Sequence, residues 1–484
     1  MTTLSVGTLA VPAVILAMTG WIAQGCGRTA LLAPGVQESP ATDAADSKVT
    51  PNVGATSQPT TNGACPDGFT ACGRGAGIRC YDLARSPDHC GECGNACAPG
   101  IACQSSQCQR YRCKGALTFK ALPEIPTRPA DDESGEFRSS YRPVLGDFDR
   151  DGILDFAGVP GINAPLGLLL GKGDGTFQGH PIASAFVSAW TAAAADLNGD
   201  GWLDLATIAS DQAQVTVRLG NGDPATLFET AIAYPTPLAP YDWNAPYNLV
   251  LADLDDDGYV DMVASGLDVV APGKQRLILW RGSASGELAE FGRIPVGSSG
   301  GLLVAADWNR DGALDLLFGS STLRMVLGRG DGTFDNEIAC ALALGSGLSG
   351  NVLADFDRDQ KLDLAARVTG IFLGMNGCNF TTLVSITDWG DTPEWGGWPY
   401  DSVGVADFNG DGQADLVTTS SGPDAKMAVY LGDGRGGFAA PIALPGVWSQ
   451  MDGVYLMGDL NNDTRLDLII TRSDGWQVLL NTCP

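Results

Sequence analysis

Short apolar segments alternate with polar, glycine-rich turns from residue 140 to the C-terminus. The run NLVLA precedes an acidic turn at residue 253, and a second apolar run, YVDMVAS, overlaps the end of that turn. A Gly-rich turn between two further apolar runs comes next in most copies, as in LLLGKGDGTFQGHPI and MVLGRGDGTFDNEIA. Apolar runs of this length between turn residues are typical of β-strands, and Gly-rich turns are typical of hairpins. The pattern therefore predicts four strands in each unit.

The four-strand unit recurs seven times. The first aspartate of the acidic turn is separated from the next by 49, 57, 54, 48, 52 and 52 residues. A β-strand repeat of this length is typical of a propeller, in which each unit forms one blade. We therefore predict an all-β fold, a seven-bladed β-propeller of four-stranded blades.

The acidic turns share a pattern of oxygen-bearing side chains. Positions 1, 3, 5 and 9 are Asp or Asn in every copy, which is the spacing of a calcium loop whose alternate side chains turn toward one ion. Position 7 of such a loop donates only its backbone carbonyl, and its side chain varies freely here. The predicted ligands of up to seven Ca²⁺ ions are Asp147, Asp149, Asp151, Ile153 and Asp155; Asp196, Asn198, Asp200, Trp202 and Asp204; Asp253, Asp255, Asp257, Tyr259 and Asp261; Asp307, Asn309, Asp311, Ala313 and Asp315; Asp355, Asp357, Asp359, Lys361 and Asp363; Asp407, Asn409, Asp411, Gln413 and Asp415; and Asp459, Asn461, Asp463, Arg465 and Asp467.

Two of the seven turns depart from the pattern. Position 6 is Gly in five copies, where a tight turn is needed, but Gln360 and Thr464 in the other two, so we expect weaker binding there. Position 12 is never Glu, and β-forming residues follow each turn, so the copies do not fit a helix-flanked EF-hand.

The repeated DxDxDGxxD and LGxGDGxF segments resemble the FG-GAP/VCBS family, the calcium-binding propeller repeat also found in integrin α-chain heads. The resemblance spans residues 116–484. It implies seven four-stranded blades with calcium in the loop between the first and second strands. Members of the family include adhesion heads, lectins and some polysaccharide-active enzymes, so the resemblance does not decide the activity.

The seventh unit ends after its third strand, in WQVLLNTCP. The segment GALTFKALPEI, which begins at residue 115, matches the fourth-strand pattern, so we predict that it completes the last blade. Two chain ends then replace the hairpin turn, and we predict a disulfide there between Cys113 and Cys483. Strand pairing without a covalent bond is the alternative. Cys340 and Cys378, in consecutive blades, remain as a possible second pair.

The N-terminal region predicts export. Residues 1–25 contain an uncharged apolar run typical of a signal peptide, and Cys26 is a candidate for lipidation, with simple cleavage as the alternative. Residues 26–64 are rich in Ala, Thr, Pro and Ser and predict a disordered linker. Residues 65–113 hold nine cysteines and resemble the module of stigma-specific-protein-like sequences of bacterial lipoproteins; disulfides are favoured there over zinc. Residues 114–484 form the propeller. We expect an outer-membrane lipoprotein or an extracellular protein, in contact with a membrane only through Cys26.

Charge adds to this interpretation. The chain has 484 residues and a net charge of −27, and a nucleic-acid partner is not expected because polyanions require basic surfaces. Twenty-four aspartates occupy the predicted ligand positions, and the remaining 32 acidic residues nearly balance 29 basic ones. The acidity therefore belongs mostly to the predicted metal sites.

Aromatic residues cluster in the connections that strand parity places on the face opposite the acidic turns. Such rings beside carboxylates suit stacking on sugars or anchoring a protein, although packing between blades is an equal alternative. The predicted ligand-binding residues are Tyr241, Trp243, Tyr247, Trp389, Trp395, Trp398, Tyr400 and Trp448.

These features favour a secreted or surface-anchored propeller that binds glycans or proteins, an adhesion or recognition module without turnover. The alternatives are a polysaccharide-active enzyme such as a lyase, and a purely structural surface protein. Only two histidines are present, and no catalytic constellation is evident. The Arg-Gly-Asp tripeptide from Arg329 to Asp331 is interpreted as part of a hairpin turn and not as a recognition motif. His180 is interpreted as part of an ordinary surface strand and not as a catalytic residue.

Overall fold

The computed structural model describes residues 112–126, 143–158, 167–180, 189–209, 214–236, 248–267, 275–297, 302–319, 322–343, 352–366, 370–374, 378–384, 403–419, 427–446, 453–471 and 475–484, with the backbone of five short strands before them. No helix capable of crossing a membrane is found in this part of the chain. The predicted signal peptide and Cys26 lie outside the described residues. So do the predicted ligand-binding residues Tyr241, Trp243, Tyr247, Trp389, Trp395, Trp398, Tyr400 and Trp448.

The N-terminal region contributes two small sheets. Strands β1 (Thr56–Ser57), β2 (Thr70–Cys72) and β3 (Arg79–Tyr81) form one in the order β1-β3-β2, and β4 (Cys103–Gln104) pairs with β5 (Gln107–Cys108) in the other. Strand β1 lies in the segment that the sequence predicts as linker. Two strands follow that belong to the propeller, β6 (Phe119–Ala121) and β7 (Ile125–Pro126).

Seven antiparallel sheets follow, and each is one blade. Blades 1 to 6 have four strands in sequential order, as predicted. Their strands are β8 (Val144–Gly146), β9 (Asp155–Gly158), β10 (Gly167–Gly171) and β11 (Phe177–His180); β12 (Ala189–Ala195), β13 (Asp204–Ala209), β14 (Gln214–Arg218) and β15 (Ile232–Pro235); β16 (Asn248–Ala252), β17 (Asp261–Leu267), β18 (Gln275–Arg281) and β19 (Ala289–Val296); β20 (Leu302–Ala306), β21 (Asp315–Gly319), β22 (Thr322–Val326) and β23 (Ile338–Ala343); β24 (Val352–Ala354), β25 (Asp363–Ala366), β26 (Gly370–Gly374) and β27 (Phe380–Val384); and β28 (Val403–Ala406), β29 (Asp415–Thr419), β30 (Met427–Tyr430) and β31 (Ile442–Ala443).

Blade 7 is built from both ends of the propeller. It contains β32 (Gly453–Gly458), β33 (Asp467–Thr471) and β34 (Gly475–Asn481), and β6 pairs with β34 as the fourth strand. Phe119 lies opposite Asn481 and Ala121 opposite Leu479, while β7 continues the pairing at Trp476. The prediction that the GALTFKALPEI segment completes the last blade is confirmed.

Two disulfides lie within the described part of the propeller. Cys113 is bonded to Cys483 beside the β6–β34 pair, with a Cα–Cα distance of 5.7 Å, and this is the pairing that the sequence predicts. Cys340 in β23 is bonded to Cys378 just before β27, with a Cα–Cα distance of 4.7 Å, so it links blades 4 and 5. The first bond reinforces the strand pairing that completes blade 7, and the second joins two neighbouring blades.

The core lies between blades rather than within them. Every residue of β16, β20 and β21 is buried, because a blade packs against a neighbour on each of its two faces. This explains why the strands appear as continuous apolar runs. Blade 7 packs on blade 1 in the same way: the Phe156 and Trp476 rings meet edge to face with centroids 4.6 Å apart. The ring of blades is therefore closed.

Candidate metal-binding loops

Each blade carries one acidic loop, defined as the nine residues that connect its first and second strands. The seven loops begin at residues 147, 196, 253, 307, 355, 407 and 459, and position 9 of each is the first residue of the second strand. Strand pairing therefore fixes position 9, while positions 1 to 8 turn the chain back.

The position-9 aspartate is a buried connector. In blade 1 the Phe148 amide donates to Asp155 Oδ2 over 2.8 Å, and the Gly171 amide, at the end of the third strand, donates to Asp155 Oδ1 over 2.9 Å. The other six blades repeat both bonds, and all seven side chains are buried. This carboxylate ties the acidic loop to the hairpin that follows the third strand, so loop and hairpin lie on one face of the propeller, as strand parity predicts.

The carboxylates at positions 1 and 5 are held by the loop backbone. Position 1 accepts a hydrogen bond from the amide of position 6 in all seven loops. Oδ1 of position 5 accepts one from the amide of position 7 in all seven. The carboxylates at positions 1 and 5 are therefore held against backbone amides of their own loop, and their predicted role as metal ligands stays a prediction.

Two positions of each loop adopt left-handed backbone. Position 6 has φ between 68° and 92° in the seven loops, and position 4 has φ between 57° and 71°. Glycine meets the requirement at position 6 in five loops, but Gln360 and Thr464 adopt the same conformation at a steric cost. The left-handed backbone at position 4 was missed from the sequence. The Gly, Asn and Asp residues found there in four loops were the available signal, because these residues adopt this conformation most readily.

Burial shifts the titration of these carboxylates. It raises the pKa of position 9 from 3.8 to about 8 in Asp155, Asp204, Asp415 and Asp467. At position 1 it raises the pKa of Asp147, with neighbouring carboxylates adding to the effect, to about 6. A bound cation favours the ionised form and acts in the opposite direction.

The residues present fit a divalent cation. In the loops of blades 1, 3 and 5, three carboxylate oxygens lie within 4.8 Å of one another. Each of these loops also holds a buried carboxylate oxygen for which the described residues supply no hydrogen-bond donor: Oδ1 of Asp147, Asp255 and Asp355. Buried, unpartnered oxygen atoms in a cluster of carboxylates are the ligands that a hard cation requires.

Basic side chains contact some of the loops. Lys361 Nζ lies 2.5 Å from Asp359 Oδ2, and Arg465 lies 2.8 Å from Asp463, so both loops that lack Gly at position 6 pair position 7 with position 5. In blade 3, Arg281 lies 2.5 Å from Asp255. These cations compete with a metal ion for the same carboxylates, so we expect the loops at residues 355 and 459 to bind more weakly than loops with the same ligand set and no such cation.

A further structural residue was missed from the sequence. The glycine at the end of the third strand donates to position 9, and a Cβ atom there would lie 2.4 Å from Leu154 O at Gly171 and 2.1 Å from Leu314 O at Gly328. The Leu-Gly dipeptide before the hairpin in blades 1, 2, 4, 5 and 6 was the available signal. In blade 7 the amide of Asn481 takes this place.

The family comparison agrees with the repeat. The FG-GAP-like repeat family matches residues 147–207, 196–264, 307–366 and 407–470, which together cover half of the chain. The chain therefore belongs to the FG-GAP-like repeat family. No curated protein matches it.

Solved propellers share the fold at low sequence identity. The BP39L lectin from Burkholderia pseudomallei is 15% identical, with a TM-score of 0.51, over 72% of this chain and 97% of the lectin. An Agrocybe aegerita lectin described as recognising non-reducing terminal N-acetylglucosamine is 18% identical, with a TM-score of 0.48, over 71% and 88%. The Bacillus licheniformis rhamnogalacturonan lyase PL11 is 12% identical, with a TM-score of 0.43, over 75% and 75%. At these identities the likeness describes the fold alone, and of these three structures the BP39L lectin has a TM-score above 0.5.

Proposed function

We propose that this protein is a calcium-binding β-propeller that acts as a recognition module for a glycan or a protein outside the cytoplasm. The observation that carries the proposal is the presence of buried, unpartnered carboxylate oxygens in the acidic loops, at Asp147, Asp255 and Asp355. Unpaired buried charge is costly, and a cation with oxygen ligands removes that cost.

The acidic loop supplies oxygen ligands of the kind that calcium binds. The ion would be held by the side-chain oxygens of Asp or Asn at positions 1, 3, 5 and 9 and by the backbone carbonyl of position 7. Bound calcium supplies positive charge to a cluster of three or four carboxylates that otherwise repel one another. Because position 9 is bonded to the third strand, a filled loop stabilises the blade that carries it.

The two disulfides of the described residues support export. Cys113–Cys483 and Cys340–Cys378 form in an oxidising compartment, which agrees with the predicted signal peptide. A lipid anchor at Cys26 would retain the protein at the outer membrane, and simple cleavage would release it. Metabolic labelling with a fatty acid and the Cys26→Ser variant distinguish these two outcomes.

Ligand recognition is assigned to the face opposite the acidic loops. Strand parity in the sequence predicts aromatic residues on that face, Trp395 and Trp398 among them, and such rings suit stacking on sugars. The BP39L lectin shares this fold, so a lectin has been built on the same scaffold.

The calcium part is tested by thermal unfolding of the full chain in calcium and in chelator. We expect a higher Tm in calcium and retention of calcium after gel filtration, because a ligand that binds the folded state stabilises it. An unchanged Tm, with no retained metal, would contradict calcium binding.

The recognition part is tested on a panel of neutral and acidic polysaccharides. We expect binding by the wild type, loss of binding in the Trp395→Ala/Trp398→Ala variant with an unchanged Tm, and normal binding in Trp202→Ala. Trp202 is the matched control because it lies on the loop face, beneath the Arg150 guanidinium at 4.8 Å. Unsaturated products, detected by ultraviolet absorbance, would favour a lyase instead.

A further inference from the structure

We propose that the residue at position 3 divides the acidic loops into two classes toward a divalent cation. The four-aspartate loops of blades 1, 3 and 5 require a bound cation, whereas the asparagine loops of blades 2, 4, 6 and 7 are closed by their own hydrogen bonds and bind more weakly. The inference rests on the proposed calcium binding and deepens it.

The asparagine at position 3 supplies a donor inside the loop. In blade 2, Asn198 Nδ2 donates to Asp200 Oδ2 over 2.9 Å. Asn309, Asn409 and Asn461 donate to position 5 of their loops over 2.7, 3.1 and 2.9 Å. The amide therefore partly takes the role of a cation toward the position-5 carboxylate.

In these four loops every carboxylate oxygen of positions 1, 5 and 9 accepts a hydrogen bond. In blade 2 both oxygens of Asp196, Asp200 and Asp204 accept a hydrogen bond: five from backbone amides and one from Asn198. Blades 4, 6 and 7 have the same six acceptors filled. In loops of this class the protein itself satisfies the aspartate oxygens, without a cation.

An aspartate at position 3 changes this balance. A carboxylate cannot donate, so the loop loses the internal donor and gains a negative charge. The three buried carboxylate oxygens without a partner, among the described residues, fall in these three loops: Oδ1 of Asp147, Asp255 and Asp355. The Asp255 side chain is only 8% exposed and belongs to the carboxylate group of blade 3. Asp147, Asp255 and Asp355 all belong to the carboxylate groups of these loops, where a cation is the missing partner.

The three four-aspartate loops differ in the basic side chains that contact them. Arg281 contacts Asp255 in blade 3, and Lys361 contacts Asp359 in blade 5. Among the described residues, no basic side chain forms an ion pair with the loop of blade 1. Arg150 of that loop lies over the Trp202 ring of the next blade instead. The loop of blade 1 therefore has the greatest requirement for a bound ion, and the loops of blades 3 and 5 are the weaker members of the class because a basic side chain offsets part of their charge.

The test exchanges the two classes with nearly isosteric substitutions. The variant Asp149→Asn/Asp255→Asn/Asp357→Asn gives every loop an asparagine at position 3, and Asn198→Asp/Asn309→Asp is the reverse control. Full-length proteins are melted in chelator and in calcium, and calcium binding is measured by isothermal titration calorimetry with metal analysis of the purified proteins.

For the wild type we expect two classes of calcium sites, with dissociation constants at least about tenfold apart, since calcium affinity depends on the charge count of the ligands. The triple variant should lose the tighter class and melt about 3 °C or more above the wild type in chelator. The reverse control should melt lower in chelator and gain more from calcium.

Two results would overturn the inference. Wild-type binding to seven equivalent sites, or a triple variant with the same Tm in chelator and the same rise in calcium as the wild type, would show that position 3 does not set the class, while the proposed calcium binding would stand. Absence of any calcium binding to the wild type would overturn both.

Discussion

At the scale of single residues, the position-9 aspartate combines two roles, because its carboxylate is both a candidate ligand and the acceptor for two backbone amides. Asp204 is fully buried and accepts the amides of Leu197 and Gly220, each over 2.7 Å. Asp204→Ala leaves both amides buried without a partner, so we expect a loss of about 2–4 kcal/mol in the free energy of unfolding. Denaturant unfolding in chelator measures it without any contribution from metal.

Two further variants separate the roles. Asp204→Asn keeps one acceptor and should lose less stability than Asp204→Ala in chelator. Glu229→Ala, an exposed acidic residue of the same blade, should unfold like the wild type. If Asp204→Ala were as stable as Glu229→Ala in chelator, the hydrogen bonds of position 9 would contribute nothing to the fold.

Burial of position 9 also predicts a pH dependence for the metal-free protein. The pKa of Asp155, Asp204, Asp415 and Asp467 rises from 3.8 to about 8, so the folded state binds more protons than the unfolded state between these values. Stability is therefore highest at low pH in this window and decreases as pH rises toward 8. We expect the Tm in metal-free buffer to fall between pH 5 and pH 8.

Saturating calcium should reduce or reverse this trend, because calcium binds the ionised carboxylates. The calcium-induced rise in Tm should therefore grow with pH. A Tm that increases with pH in metal-free buffer would show that these carboxylates are ionised in the folded protein throughout the window.

At the scale of the loop element, the left-handed backbone at position 6 explains why glycine prevails there. Gly312 has a φ of 92° and open space around its missing Cβ, so Gly312→Ala tests the backbone alone. We expect it to destabilise the protein by about 1 kcal/mol. Gln360 has a φ of 68°, and Gln360→Gly should stabilise the folded loop in return, by less because glycine also gains freedom in the unfolded chain.

Both variants are compared with the wild type by denaturant unfolding in calcium and in chelator. Opposite signs for Gly312→Ala and Gln360→Gly would agree with a shared backbone requirement. Stabilisation by Gly312→Ala would mean that position 6 is not held left-handed in solution.

The blades and loops were accessible from the sequence because both are periodic. A repeated spacing of aspartates fixes which side chains turn inward, and the fourth strand of blade 7 was found because residues 115–125 match the pattern of other blades. The hydrogen bond from Asn198 to Asp200 and the left-handed residue at position 4 depend on the folded path of the backbone. Asp and Asn are equivalent in a ligand pattern and differ only once donors are counted.

At the scale of the whole molecule, ring closure depends on contacts between the first and last parts of the propeller. The chain ends are also tied to blade 6: the Cys113 amide donates to Asn409 O over 2.7 Å, and Asn481 Nδ2 donates to Phe408 O over 2.9 Å. Both acceptors belong to an acidic loop. The closing strand, the Cys113–Cys483 bond and the loop of blade 6 therefore form one connected unit.

Comparison of the two disulfides tests how the ring is held. Cys113–Cys483 spans 370 residues and Cys340–Cys378 spans 38. Because a longer closed loop restricts the unfolded chain more, Cys113→Ser/Cys483→Ser should lose about 2 kcal/mol more stability than Cys340→Ser/Cys378→Ser. Denaturant unfolding measures the difference, and hydrogen exchange should show faster opening of β6 and β34 in the first variant only. Equal stability and unchanged exchange would mean that strand pairing alone closes blade 7.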